Sequence, residues 1–326
     1  MEGDRMAPRN ERAPWVVVLA GGDGRRLSTL SLGADGRPVP KQFFRFRDER
    51  SLLAETLERA RGLTIESRIV VVVVEAHRRL WEADVAGLDP HNVLVQPTNR
   101  GTGIAILHAW AHVRGEEAQP RLVFMPSDHE VDDPASLVLA IGRALSHVPL
   151  YEESLLLLGV TPTRADGEYG FIVPCAGRAS TARPVRRFVE KPAPATATDL
   201  LREGALWNTF IFACGGRALE GVFRDVFPVL TREYLRRFDL ARGDLRRLEE
   251  FFRALPRLDF SHDLLEGNAR RLRAVTVPAC GWTDLGTPHR LAHWLATHLE
   301  ASYWQYRANH GLDDSGGGYQ PARPSG

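Results

Sequence analysis

Cysteine is scarce in this chain. Its three residues, Cys175, Cys214 and Cys280, stand far apart and form no CxxC, so neither a disulfide framework nor a cysteine-based zinc site is expected. An excess of either charge is also missing. Lys plus Arg is 42 and Asp plus Glu is 41, a net charge of +1. No partnership with nucleic acid or a membrane driven by bulk charge follows from that balance, and an anionic ligand must be met by locally placed cations. The strongly apolar run at residues 69–74 is far too short to cross a bilayer. The opening MEGDRMAPRNERA mixes both charge signs and lacks the apolar centre of a signal peptide. A disordered arm over residues 1–13, a disordered tail over 311–326 and a cytoplasmic location are therefore expected. Apolar residues are plentiful. At 326 residues and 44% hydrophobic, the chain can build a sizeable core.

Hydrophobic periodicity gives the organisation. Residues 15–20 are a continuous β-branched run that stops at Gly21-Gly22, as a buried strand should. Ser51 opens a helical pattern with Leu53, Leu57 and Ala60 on one face. Strands are expected at 68–74 and 122–125, and helices after His77, over 101–113 and over 134–148. For the helix over 101–113 the expected buried face carries Ile104, Leu107, His108 and Ala111. Asp133 is the expected cap of the helix at 134, with Pro134 at its first position. Strands alternating with helices imply a mainly parallel sheet covered on both faces. Beyond Ser154 the pattern changes to strands at 155–160, 169–174, 185–190 and 207–213 with fewer helices, so strand directions should become mixed. An Arg-rich helical stretch from Ala218 to about Leu255, a strand at 272–277 and a helix from Thr287 complete the body.

The most informative segment is Leu19-Ala20-Gly21-Gly22-Asp23-Gly24-Arg25-Arg26-Leu27. A strand runs into three glycines within four residues, then two arginines. Glycine lets the backbone turn sharply and brings amide groups close to a ligand. Such a nest suits a polyphosphate, and the arginines add charge and forked donors. Taken alone, the same residues describe a tight turn with solvated arginines. Walker A is excluded because no Lys-Ser or Lys-Thr follows. The dinucleotide fingerprint G-x-G-x-x-G is met by Gly22 and Gly24 but fails at Leu27, which argues against an NAD site.

This opening resembles that of the sugar-nucleotidyltransferases, specifically the mannose-1-phosphate guanylyltransferases, in which LAGGxGxRLxPLS is followed by PKQF. Here Leu30-Ser31 and Pro40-Lys41-Gln42-Phe43 continue the pattern. Gln96-Pro97, Arg100-Gly101-Thr102, Pro126-Ser127-Asp128-His129, Gly159 to Arg164 and Tyr169-Gly170-Phe171-Ile172 follow in the family's order. So do Phe188-Val189-Glu190-Lys191-Pro192, Trp207-Asn208 and Gly281-Trp282-Thr283-Asp284-Leu285-Gly286. The resemblance implies an α/β, Rossmann-like fold of the GT-A type, with a mixed, mainly parallel sheet flanked by helices and a helical C-terminal portion. It implies a nucleotidyltransferase domain over 14–295 with a mainly helical insertion at 218–270, and a closing helix at 296–310. The helical C-terminal portion is a candidate homodimer contact.

The implied reaction joins GTP and mannose 1-phosphate, with magnesium, into GDP-mannose and pyrophosphate. A sugar phosphate oxygen attacks the α-phosphorus in line. Two anions must meet, and one pair of unit charges at 4 Å costs roughly 4 kcal/mol at an effective dielectric of 20. Catalysis should therefore consist mostly of positioning and electrostatic stabilisation. The resemblance assigns catalysis to Arg26, Lys41, Asp128 and Lys191. It assigns the nucleotide to Leu19, Ala20, Gly21, Gly22, Gly24, Arg26, Lys41, Arg100, Thr102 and Asp128; Arg25 stands where the family usually has a small or hydroxylic residue, and either adds a contact to the nucleotide's phosphates or faces water. Gly170, Glu190, Lys191 and Asn208 take the sugar phosphate, and Asp128 with Asp284 takes the metal ion, in keeping with magnesium's preference for one or two carboxylates beside phosphate oxygens.

Two features of the residues sharpen these expectations. Glu190 and Lys191 are adjacent, so in a regular strand they point to opposite faces. Both can reach one ligand only if the strand bends there. His129 is not expected to act as a base, because a phosphate oxyanion is already a nucleophile at neutral pH. The chain departs from the family pattern at Ser28-Thr29 and at Thr209-Phe210, where a Ser-Gly pair is usual, and the second change narrows one wall of the expected sugar pocket. The same transfer with another base or hexose phosphate, or a regulatory homologue that binds sugar nucleotides without turnover, also accommodates the motifs.

Overall fold

The computed structural model describes residues 13–24, 27, 38–46, 50–178, 182–241 and 245–298. All but Ala13 of the arm expected over 1–13, Arg25, Arg26, residues 299–310 of the expected closing helix and the expected tail at 311–326 lie outside the described residues. The strands are β1 (Trp15–Leu19), β2 (Ile69–Val74), β3 (Val93–Gln96), β4 (Arg121–Pro126), β5 (Leu155–Val160), β6 (Phe171–Pro174), β7 (Arg183–Val189), β8 (Leu206–Gly215) and β9 (Leu272–Val277). They form one sheet in the order β3-β2-β1-β4-β8-β5-β9-β7-β6, with β8 also pairing with β6. β1 to β4 run parallel, whereas β8 is antiparallel to both β4 and β5. β3 has no counterpart in the periodicity reading because only four residues, two of them half-buried, carry it.

Helices α1 (Leu52–Arg61) and α4 (Pro134–His147) cover one face of the sheet. The other is covered by α3 (Thr102–Glu116), α6 (Gly216–Val226), α7 (Pro228–Ala241) and α8 (Leu245–Ala254). The expected caps form: Ser51 Oγ accepts from the Ala54 amide at 3.0 Å, and Asp133 Oδ1 accepts from Ser136 at 3.0 Å. α3 differs from its amphipathic expectation, because every residue from Gly103 to Val113 is buried. The helical segment that follows β8 supplies its second cover. His108, inside α3, meets Tyr234 Oη at 2.8 Å, and burial pushes its pKa down to about 3. After His77 only the single turn α2 (Arg78–Trp81) is helical. A short α5 (Pro194–Arg202), not anticipated, lies between β7 and β8, and α9 (Pro288–His298) ends the described chain.

β1 is the point at which strand order reverses: β2 and β3 lie on one side and β4 on the other. Ligands of open α/β sheets sit at the carboxyl ends of the strands flanking such a point. Gly21 follows β1 and Asp128 follows β4.

Candidate active site

The glycine turn is held from beneath. Gln42 Nε2 donates to the carbonyls of Ala20 at 3.1 Å and Gly22 at 2.8 Å. Gly24 has φ +63°, and a Cβ there would lie 2.7 Å from Pro40 Cα, so the turn and the Pro40-Lys41 segment close on each other as only glycine allows. Ser127 Oγ donates to Leu19 O at 2.8 Å and ties the ends of β1 and β4 together.

Lys41 heads a 3-10 turn, Lys41–Phe43, and is buried at 7% exposure rather than solvated. Its Nζ lies 2.8 Å from Asp128 Oδ2 and also donates to the backbone carbonyl of Asp284. Lysine and the two aspartate segments, 87 and 243 residues along the chain from it, thus meet at one point. Burial alone would raise the Asp128 carboxyl, but Lys41 and then His129 hold it below the usual carboxylate range. His129 Nδ1 accepts from Trp282 Nε1 at 3.2 Å, which leaves the proton on Nε2, 3.5 Å from Asp128 Oδ1. Burial lowers its pKa to about 4, so at neutral pH it is an uncharged group that orients Asp128. Asp284 receives the Gly286 amide at 3.0 Å and pairs with buried Arg290, whose Nε lies 3.1 Å from Oδ1. Arg290 also reaches Asp166 Oδ2 at 3.2 Å.

At the other end, β7 stops at Val189 and Lys191 takes φ +44°, so the chain bends there. The bend answers the parity problem: Glu190 and Lys191 both line the same cleft and pair with each other. Burial raises the Glu190 carboxyl, against the opposing pull of Lys191. Gly170 brings its backbone against them, since a Cβ there would fall 2.5 Å from Glu190 Oε2. The Gly170 carbonyl accepts from the Asn208 amide at 2.8 Å. Phe210 adopts φ +59° beside it and turns into the cleft, as the narrowing at Thr209-Phe210 implies.

One cleft of about 400 Å3 contains Gly21, Gly22, Asp128, Lys191, Asn208 and Asp284 in its lining. A second cavity of about 400 Å3 continues it through Gly22, Gln42, Asp128 and Asp284 to Gly24 and Lys41. Leu19, Thr102, Gly170 and Glu190 also face the cleft, while Ala20 is buried beneath the turn. Arg100 departs from expectation. Its guanidinium donates to the carbonyls of Phe252 at 2.9 Å and Arg253 at 2.8 Å, and it does not line the cleft. Arg100-Gly101-Thr102 instead docks the segment after α8. Leu258 bonds to Arg100 O and Gly103 N, Phe260 N donates to Thr102 Oγ1 at 2.8 Å, and a Cβ on Gly101 would fall 2.2 Å from Leu258 O.

That docked segment carries residues the sequence reading missed. Arg257 is exposed and lines both cavities, joined by Asp259 and Ser261 in the first. Nothing in one sequence distinguishes Arg257 from the many arginines of the helices that precede it. Gln42, by contrast, sits inside a quoted motif and was findable there.

The sequence profile of the nucleotidyl transferase family matches residues 15–300. The chain belongs to the nucleotidyl transferase family. It is 31% identical over 278 residues to the xanthan biosynthesis protein XanB of Xanthomonas campestris pv. campestris, covering 83% of this chain and 57% of that protein. It is 30% identical to the mannose-1-phosphate guanylyltransferase of Escherichia coli over 84% of this chain and 58% of that one. The chain thus spans little more than half the length of these curated relatives. Among solved structures, the protein named mannose-1-phosphate geranyltransferase from Thermus thermophilus superposes with a TM-score of 0.72 at 31% identity, over 83% of this chain and 76% of that one. The mixed sheet flanked by helices is the fold of these nucleotidyltransferases. Among the described residues no helix is long and apolar enough to cross a membrane.

Proposed function

We propose that this nucleotidyltransferase forms GDP-mannose and pyrophosphate from GTP and mannose 1-phosphate. The observation that carries the reading is a single cleft with Lys41 and Asp128 at one end and Glu190, Lys191 and Asn208 at the other, floored by the glycine turn. The triphosphate lies over Gly21 to Gly24, where backbone amides and the adjacent cations Lys41 and Arg257 meet its charge; Arg25 and Arg26 continue the same turn in sequence. The hexose is held by Glu190, Asn208 and the Gly170 backbone, and its phosphate by Lys191. Lys41 and Lys191 offset the repulsion between nucleophile and electrophile, and the fixed geometry supplies near-attack alignment. No proton needs to be removed, in keeping with the neutral His129.

Asp128 and Asp284 are the carboxylates for magnesium. They fit it in part by position, since both line the cavities beside the glycine turn, and in part by chemistry. The Asp128 side chain keeps 36% exposure and is held ionised, and hard oxygen donors suit this cation. Lys41 takes one oxygen of Asp128 and Arg290 reaches both of Asp284, so the more exposed Asp128 keeps the freer oxygen for the ion. When bound, the ion neutralises charge on the phosphoryl oxygens.

Phe210 favours one variation on this reading, a hexose 1-phosphate other than mannose, because its ring occupies the sugar wall. Pyrophosphate release from each triphosphate paired with each of several hexose 1-phosphates tests both. GTP with mannose 1-phosphate should lead the panel in the presence of magnesium. Release with UTP or dTTP only would reject the guanylyl assignment, and no release from any pair would favour a regulatory binding protein.

A further inference from the structure

Two histidines and a glutamate meet beside the start of β3, whose far end carries Gln96 into the cleft. His112 and Glu116 stand four residues apart on α3, so they share one face of that helix. His91 joins them from the 3-10 turn Pro90–Asn92 that leads into β3. Asp89 caps this turn, its carboxylate accepting from the His91 amide at 2.9 Å. The His91 and His112 rings lie 4.7 Å apart, and His91 Nε2 is 3.3 Å from Glu116 Oε1. All three donor atoms fall within 4.8 Å of one another. Around a tetrahedral ion bound at about 2.1 Å, two donors are separated by about 3.4 Å. The His91–Glu116 pair already has that spacing, and both side chains are exposed and can turn to close on buried His112.

His112 is the fixed member. Asn92 Nδ2 donates to Ser67 O at 3.0 Å, so its Oδ1 is the acceptor that faces His112 Nε2 at 3.0 Å. The His112 proton is therefore on Nε2 and the ring's lone pair on Nδ1, the arrangement of a ligating imidazole whose N–H is held by a neighbour. Glu116 is the last residue of α3, where the negative end of the helix favours a cation. The helix rises about 1.5 Å per residue, which puts Glu116 about 21 Å along it from Thr102 in the cleft.

We propose that His91, His112 and Glu116 form a site for a borderline divalent metal ion such as zinc, with water in the fourth position. Imidazole suits zinc, whereas magnesium takes oxygen donors, so this ion is distinct from the one proposed for the cleft. The ion replaces the His91–Glu116 contact and retains the Asn92 bond as its outer support. Its role is that of a clasp: β3 is an edge strand of only four residues, and the ion ties the turn before it to α3. Binding to the folded chain stabilises that state by mass action. No step of the transfer passes through it, and the site stands on this geometry whichever sugar nucleotide the cleft makes.

Titration calorimetry of the full chain with zinc, after dialysis against a chelator and in excess magnesium, tests it. The parent should bind one zinc ion that H91A/E116Q does not, and zinc should raise the melting temperature of the parent but not of that variant. Cobalt(II) should give the parent, and not the variant, the strong visible bands of a four-coordinate ion. Turnover in magnesium should be the same for both chains, because neither residue lines the cleft. Should the double variant fail to fold, H91A alone decides the point, with the zinc Kd raised about tenfold or more. Zinc uptake by the variant equal to the parent's would overturn the proposal. So would a parent that binds no zinc.

Discussion

At the β1–β4 end the cleft is bounded mainly by backbone, a glycine turn strapped down by Gln42 and Ser127. At the β6–β8 end it is bounded mainly by side chains, among them those of two left-handed residues, Lys191 at φ +44° just beyond β7 and Phe210 at φ +59° within β8. The two ends teach different lessons about tolerance. Backbone donors serve any polyphosphate and leave little to vary without losing the turn. Side chains on bends can be exchanged one at a time, so under the proposed function discrimination between hexoses belongs there.

The largest effect that would sharpen this contrast is at the junction. Asp128→Asn should lower kcat by roughly 10²-fold or more while the chain stays folded, by analogy with lost transition-state stabilisers, with a lower melting temperature because buried Lys41 loses its counter-charge. Near-normal turnover would remove Asp128 from the machinery. Next comes Gly24→Ala. A side chain at φ +63° and 2.7 Å from Pro40 Cα should cost about 2 kcal/mol or more in denaturant unfolding and raise KM for the triphosphate far more than for the sugar phosphate. Lys191→Ala should do the reverse, raising KM for the sugar phosphate roughly tenfold with the triphosphate KM little changed. If both variants moved both constants equally, the division of labour between the ends would be wrong.

Phe210→Gly should change the ratio of kcat/KM between two hexose 1-phosphates by about tenfold, the range open to a small change in pocket shape. The smallest effect concerns pH. An NMR titration of His129 should find its midpoint near 4, with no inflection between pH 5.5 and 8. Because the folded value lies below the unfolded one of about 6.5, protons favour the unfolded chain. The stability linked to His129 is thus whole above about 6.5 and declines as pH falls toward 4.

Much of the fold was legible in the sequence because fully buried strands such as β1, β2 and β5 are apolar runs, whatever the direction of their neighbours. β3 and α5 were not, being short and only partly buried. The all-round burial of α3 depended on helices more than a hundred residues later, which periodicity within α3 does not report. The candidate site divides in the same way. Lys41, Asp128, Gly170, Glu190, Lys191, Asn208 and Asp284 sit in motifs and meet in one cleft. Arg100 lay in a motif too, yet its neighbours Gly101 and Thr102 show that the motif seats the segment carrying Arg257. A motif marks that a residue matters to the site, and only the folded chain says whether it touches the ligand or holds the residue that does.

The central claim is that one continuous cleft carries nucleotide and sugar phosphate from Lys41 to Lys191. A crystal structure of the Asp128→Asn variant with GDP-mannose tests it most directly. The diphosphate should lie over Gly21 to Gly24 with the hexose against Glu190 and Asn208. A sugar nucleotide bound away from the glycine turn, or with its hexose clear of Lys191 and Asn208, would contradict it.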